Sequence, residues 1–145
     1  MKSSVLFNGS DQLLRGFNFE MRRHGFAGNH CQIIIELAGK ISPEVLQKRL
    51  ATLQKEFAIL NARLGGLFKP KWKIPSRSKK AITVRVHRDA PDLRHNLFNE
   101  PLRIKRGELM RFDLVERDGA RMDLIFTWTH LLMDATAAEH FLTAI

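Results

Sequence analysis

The sequence predicts an α/β sandwich, a layered domain and not an alternating doubly wound sheet, and three observations carry that reading. A capped amphipathic helix opens at Ser42-Pro43-Glu44, a β-branched run over 31–37 precedes it, and two apolar stretches are joined through Asp118-Gly119. At 145 residues the chain is the size of one domain, here expected to span 1–145, and such a domain buries roughly two thirds of its unfolded surface. Apolar residues are 44% and charged residues 27%, the composition of a folded chain and not of a disordered one.

The elements follow in order. The first thirty residues are expected to give a strand and then a short helix from Ser10-Asp11-Gln12-Leu13-Leu14, because Gly9, Gly16, Gly25 and Gly28 interrupt anything longer. Cys31, Ile33, Ile34 and Ile35 lie in a strand that stops at Gly39. Ser42 then caps a helix, Pro43 is pre-set for its first position, and Glu44 complements the dipole. Leu46, Leu50, Leu53, Phe57 and Leu60 form one apolar stripe along it, with Gln47, Lys48, Gln54 and Lys55 turned to water. The segment 66–80 holds Pro70 and Pro75 and reads as an exposed loop. Over 81–88 the pattern alternates, with Ile82, Val84 and Val86 on one face and Thr83, Arg85 and His87 on the other, which predicts a half-buried strand. The stretches 108–116 and 121–128 make a hairpin, since Asp-Gly suits its tight turn. Leu124-Ile125-Phe126 marks the second strand as central, and 135–145 closes the chain as a helix with Ala138, Phe141, Leu142 and Ile145 on one face.

Charge is the unusual property. Lysine and arginine number 24 against 15 acidic residues, a net of +9, which suits an acidic partner such as nucleic acid, anionic lipid, a phosphate-bearing cofactor or an acidic protein. Six positive charges, Lys69, Lys71, Lys73, Arg77, Lys79 and Lys80, fall in one acid-free segment. With Trp72 among them they offer phosphate contacts and a stacking surface for a nucleic acid, although a charge run is more often a solvated face. Cys31 is the single cysteine, so a disulfide framework and a cysteine-built zinc site are excluded. The histidines lack metal-ligand spacing, and there is no Gly-rich phosphate loop. Residues 1–8 lack the apolar run of a secretory signal. Nothing approaches the ~18 apolar residues of a membrane span. A cytoplasmic protein is expected.

The sharpest local feature is Trp128-Thr129-His130-Leu131-Leu132-Met133-Asp134-Ala135. A histidine leaves the end of a buried strand, and imidazole titrates close enough to neutrality to accept a proton from a nucleophile. The plainer alternative makes Asp134 a helix N-cap and His130 a hydrogen-bonded core residue.

The succession of segments decides between them. His30-Cys31-Gln32-Ile33-Ile34-Ile35-Glu36-Leu37, the helix after Ser42-Pro43-Glu44, Leu97-Phe98-Asn99-Glu100-Pro101-Leu102, Gly107-Glu108-Leu109-Met110-Arg111-Phe112 and Thr129-His130-Leu131-Leu132-Met133-Asp134 resemble, in order and over nearly the whole chain, the condensation-domain superfamily. These are acyltransferases similar to chloramphenicol acetyltransferase. The resemblance implies a mixed, mostly antiparallel sheet with helices on one face, and specifically the N-terminal lobe of a two-lobed domain. It implies His130 as the base that deprotonates a hydroxyl or amine acceptor attacking a thioester. The thioester is carried by coenzyme A or by the phosphopantetheine of an acyl carrier protein, with no permanently bound cofactor. It assigns Asp134 to the structure of the loop through an arginine. The superfamily's usual arginine position falls nearest Asn61, which leaves Arg63 and then Arg111 as substitutes. The basic segment 69–80 would attract the donor's phosphates. Thr129 stands where many members have a first histidine, and Ala135 where they have glycine. The motif lies near the middle of most members, so a second lobe or an oligomeric partner is expected to complete the site. A nucleic-acid-binding domain using the basic segment, and a non-catalytic interaction module of the same fold, are the alternatives.

Overall fold

The structure, a computed structural model, describes residues 3–66, 68–75 and 81–145. Seven strands form two sheets. The smaller sheet has the order β1-β4-β3, from β1 (Ser3–Leu6), β3 (Arg63–Gly65) and β4 (Lys71–Ile74). The larger has the order β2-β7-β6-β5, from β2 (His30–Leu37), β5 (Thr83–Arg88), β6 (Met110–Glu116) and β7 (Met122–Thr129). Every pairing is antiparallel except β5 with β6, which is parallel. Four helices complete the fold: α1 (Gly9–Arg23), α2 (Pro43–Glu56), α3 (Leu93–Asn99) and α4 (Ala135–Thr143).

The main core lies between the large sheet and the apolar faces of α2 and α4. Phe112, Leu114, Leu124, Phe126 and Trp128 meet Leu46, Leu50 and Leu53 there, as the helical stripe requires. Phe112 stacks on Phe126 at 4.6 Å, and Phe141 of α4 lies 5.7 Å from Phe126. Ser42 accepts from Val45 N at 3.3 Å and starts α2. The β6–β7 turn uses Gly119 at φ +74°. The reverse face of the sheet is covered by α3, whose Leu97 packs on Val115 and Ile125.

Three expectations are corrected. The N-terminal helix is not short: α1 runs 15 residues straight through Gly16. Asn8 and Asp11 form a reciprocal capping box, both bonds at 2.9 Å, and an interior glycine costs only ~1 kcal/mol. Second, the expected loop contains a strand. In β4, Trp72 is 5% exposed and packs 5.3 Å from Phe7, while Lys73 is exposed. The alternation was in the sequence, masked by prolines and charge. Its hairpin with β3 turns at Gly66 (φ +82°), where a Cβ would collide with the Lys69 carbonyl oxygen. Third, Phe57 leaves the apolar stripe and is exposed, whereas Gln54, expected in water, is buried with Oε1 accepting from Ile82 N at 3.1 Å. The strand β5 is half-buried as expected, and its Arg85 and His87 both bond the buried Asp113 of β6. None of the described helices is long and apolar enough to cross a membrane.

Candidate active site

The loop from Thr129 to Asp134 leaves the central strand β7 and enters α4, and its backbone is tied on every side. Thr129 N donates to Leu109 O (2.9 Å), His130 N to Asn29 O (3.3 Å) and Leu132 N to Thr129 O (2.9 Å). Trp128 Nε1 donates to Met133 O at 3.0 Å, so the core indole holds the far end of the loop. The His130 imidazole is the exception. It is half-buried, its Nδ1 is shielded from solvent, and among the described residues it has no hydrogen-bond partner. A buried polar atom without a partner costs about 1–3 kcal/mol, and in a native fold it calls for a reason. The hydrogen-bonded core histidine of the plainer alternative is not what the structure contains.

Asp134 is the N-cap of α4, with Oδ1 accepting from Ala137 N at 2.8 Å. The arginine expected beside it is absent: among the described residues no guanidinium comes within ion-pair distance of its carboxylate. A Cβ built on Gly107 would meet the Arg63 side chain at 3.1 Å, which puts Arg63 against the turn before β6. Arg111 is buried on the reverse face of the sheet, bonded to Asp113 and to the carbonyls of Leu97 and Glu100. Asn61 bonds Gln54. Asparagine caps helices about as well as aspartate, whereas alanine costs ~1 kcal/mol. Chemical denaturation should therefore show Asp134→Asn close to the parent and Asp134→Ala lower by that amount. A large loss in Asp134→Asn would reveal an ion pair.

Two polar features escaped the sequence reading. His30 sits directly across from Thr129 in the β2–β7 register, and its Nε2 donates to Phe98 O at 2.8 Å. Burial pushes His30 below the ordinary imidazole range. Charges on Arg111 and Arg22 act the same way, and the bond to Phe98 opposes them. A second histidine thus stands one strand from the loop. Its signal, a histidine opening a strand, was visible, but its register was not. The other feature is the buried cluster of Arg85, His87, Arg111 and Asp113, assembled by the parallel β5–β6 pairing.

The residues after His130 line two cavities. Leu131 borders one of about 510 Å³, whose walls carry Arg15, Arg22, Arg103, Lys105 and Arg106. Leu132 and Met133 border an apolar groove of about 340 Å³ with Phe57, Ile59 and Phe141. Of the basic segment singled out in the sequence, Lys71 and Lys73 line a different cavity with Arg63, and Lys69 is exposed. Arg77, Lys79 and Lys80 lie outside the described residues. With Trp72 buried, the stacking surface of the nucleic-acid alternative is not there. Among the described residues no group of histidine, cysteine and carboxylate side chains is placed to hold a metal.

No protein-family model and no curated protein matches the sequence. Solved structures do match the fold. A doubly substituted variant of the starter condensation domain of the rhizomide synthetase RzmA aligns with a TM-score of 0.79 at 12% identity, covering 98% of this chain and 36% of that one. A variant of the same domain in complex with C8-CoA gives a TM-score of 0.70 at 13% identity, over 94% of this chain and 33% of that one. The condensation domain from the Monacolin K polyketide synthase MokA gives 0.64 at 12% identity, over 87% and 30%. This chain spans about a third of the length of these structures. Two mostly antiparallel sheets, the helices packed on them and the near-complete coverage agree: the chain has the fold of a condensation-domain lobe.

Proposed function

We propose that this chain is the N-terminal lobe of an acyltransferase that moves an acyl group from a thioester to a hydroxyl or amine, with His130 as the general base. The observation that carries the reading is the unpartnered imidazole on a loop held by several backbone hydrogen bonds at the end of a central strand. A neutral ring nitrogen takes the acceptor's proton as its oxygen or nitrogen bonds to the thioester carbonyl carbon. The C–S bond then breaks, and the departing thiolate recovers the proton from the imidazolium. The scaffold supplies position, which is most of what such a base needs. A neighbour of the same fold in complex with C8-CoA supports a thioester donor.

A single lobe offers one wall of a two-substrate site, so the active form is this chain with a second lobe, or an assembly of copies. The test is acyl transfer followed by release of free thiol, with a coenzyme A thioester and simple alcohols or amines. A monomeric preparation is expected to give no sustained turnover, and a form joined to a second lobe or assembled into an oligomer is expected to transfer. Sustained transfer by a demonstrated monomer would overturn the need for a partner. Failure of every assembled form would overturn the acyltransferase reading.

A further inference from the structure

We infer that Asn18 of α1 is a positioning residue for the proposed base: its side chain takes the amide that would otherwise fix the His130 carbonyl in the sheet, and so sets where the loop leaves β7. The inference rests on the acyltransferase reading above. The β2–β7 register pairs His30 with Thr129, and one step further it puts Asn29 opposite His130. In an antiparallel ladder, the two residues of a hydrogen-bonded pair exchange both of their bonds. Half of that exchange is present, because His130 N donates to Asn29 O at 3.3 Å. Thr129 N points the other way, to Leu109 O, as the alternation requires. The return bond from Asn29 N to His130 O is replaced: Asn29 N donates to Asn18 Oδ1 at 3.0 Å. A side chain of α1 thus ends the ladder half a rung early, and β7 stops at Thr129. With the return bond made, the strand would run on through His130, and its side chain would follow the alternation of the sheet and not the course of the loop.

The surroundings are shaped for this contact. Gly28 is buried at φ +112°, and a Cβ there would stand 2.5 Å from Asn18 Oδ1 and 2.9 Å from Arg22 Nε. Glycine takes this φ without strain and leaves the space open. Arg22, one turn further along α1, donates Nη2 to Leu102 O at 2.7 Å, a second polar tie from the helix to the domain. No residue of α1 is fully buried, so these bonds, with the half-buried Leu14 against the smaller core, seat the helix. Asparagine is a weak helix former, and here its amide oxygen serves the end of a strand and not its own helix.

The test is the imidazole signal of His130 by NMR on this chain, assigned by its loss in His130→Ala, together with turnover in whichever assembled form transfers acyl groups. Asn18 is half-buried on a helix that buries no residue fully, so its replacement leaves the cores intact. Asn18→Ala is expected to move the His130 ring resonances and to lower kcat by about 10- to 100-fold with KM little changed, the scale of a misplaced catalytic group. Asn18→Asp keeps an acceptor oxygen and is expected to restore both readouts. Gly28→Ala blocks the bond without touching Asn18 and is expected to reproduce the effect of Asn18→Ala. A folded Asn18→Ala whose ring resonances match the parent would overturn the inference, whatever its melting temperature. So would an Asn18→Asp as impaired as Asn18→Ala. If the resonances move as expected but no assembled form transfers acyl groups, the catalytic reading fails and the placing of His130 by Asn18 stands. If the parent transfers and Asn18→Ala transfers equally well, the positioning role fails alone.

Discussion

Asp113→Ala is expected to destabilise the fold by ~3–5 kcal/mol, the range for removing one side of a buried ion pair. The Asp113 carboxylate is fully buried and accepts three charge-bearing or polar donors. Oδ1 takes Arg85 Nε at 2.6 Å and His87 Nε2 at 2.8 Å, and Oδ2 takes Arg111 Nε at 3.1 Å. Arg111 has a side chain only 1% exposed, so it has no water to turn to. Nothing in the cluster is spare. Arg85 Nη2 and Arg111 Nη1 are already buried without a hydrogen bond, and Arg111 Nη1 has only an ion-pair contact with the half-exposed Glu100 at 3.4 Å. Replacing Arg111 by methionine in the same chain should recover much of the loss, because the stranded charge is then gone and Arg85 can reach solvent. Urea unfolding of the parent, the single variant and the double variant measures this directly. A single variant that unfolds with the parent would mean the cluster contributes nothing.

That cluster also shows where sequence reading stops. Local signals carried most of the fold: Ser42-Pro43 for α2, Asp118-Gly119 for the hairpin and Leu124-Ile125-Phe126 for a central strand all describe what the structure contains. Local conflict hid the rest. In α1 a glycine argued against length, while a capping box three residues wide argued for it and prevailed. In β4 the alternation of Lys71, Trp72, Lys73 and Ile74 was outvoted by Pro70, Pro75 and the charges around it. The helix α3 was not read as one, so Arg85, His87, Arg111 and Asp113 had no visible cover. The proposed base was legible because a histidine leaving a strand end is a local pattern and the surrounding segments resemble a known family. The cationic cavity was not, since α1 and the turn before β6 meet only in the folded chain; the bond from Arg22 to Leu102 joins residues 80 apart in sequence.

His130→Ala is expected to lower turnover by ~10²–10⁴ in whichever assembled form transfers acyl groups, the usual contribution of a positioned general base. Stability should not follow activity. The imidazole makes no hydrogen bond among the described residues, so its removal breaks none, and it takes away a buried nitrogen whose solvation was never replaced. The backbone bonds of the loop, from His130 N to Asn29 O and from Trp128 Nε1 to Met133 O, remain in the alanine variant. A parent-like melting curve with a collapsed rate is therefore the signature of a base, and a collapsed melting curve is that of a core residue. His130→Gln separates the remaining case. Glutamine fills similar space and can bond an acceptor, but it cannot take a proton near neutrality. If His130→Gln restores turnover to within a few fold of the parent, the side chain only positions the acceptor. If it is as slow as alanine, and the parent's rate falls on acidification while the variant's residual rate does not, the proton passes through His130.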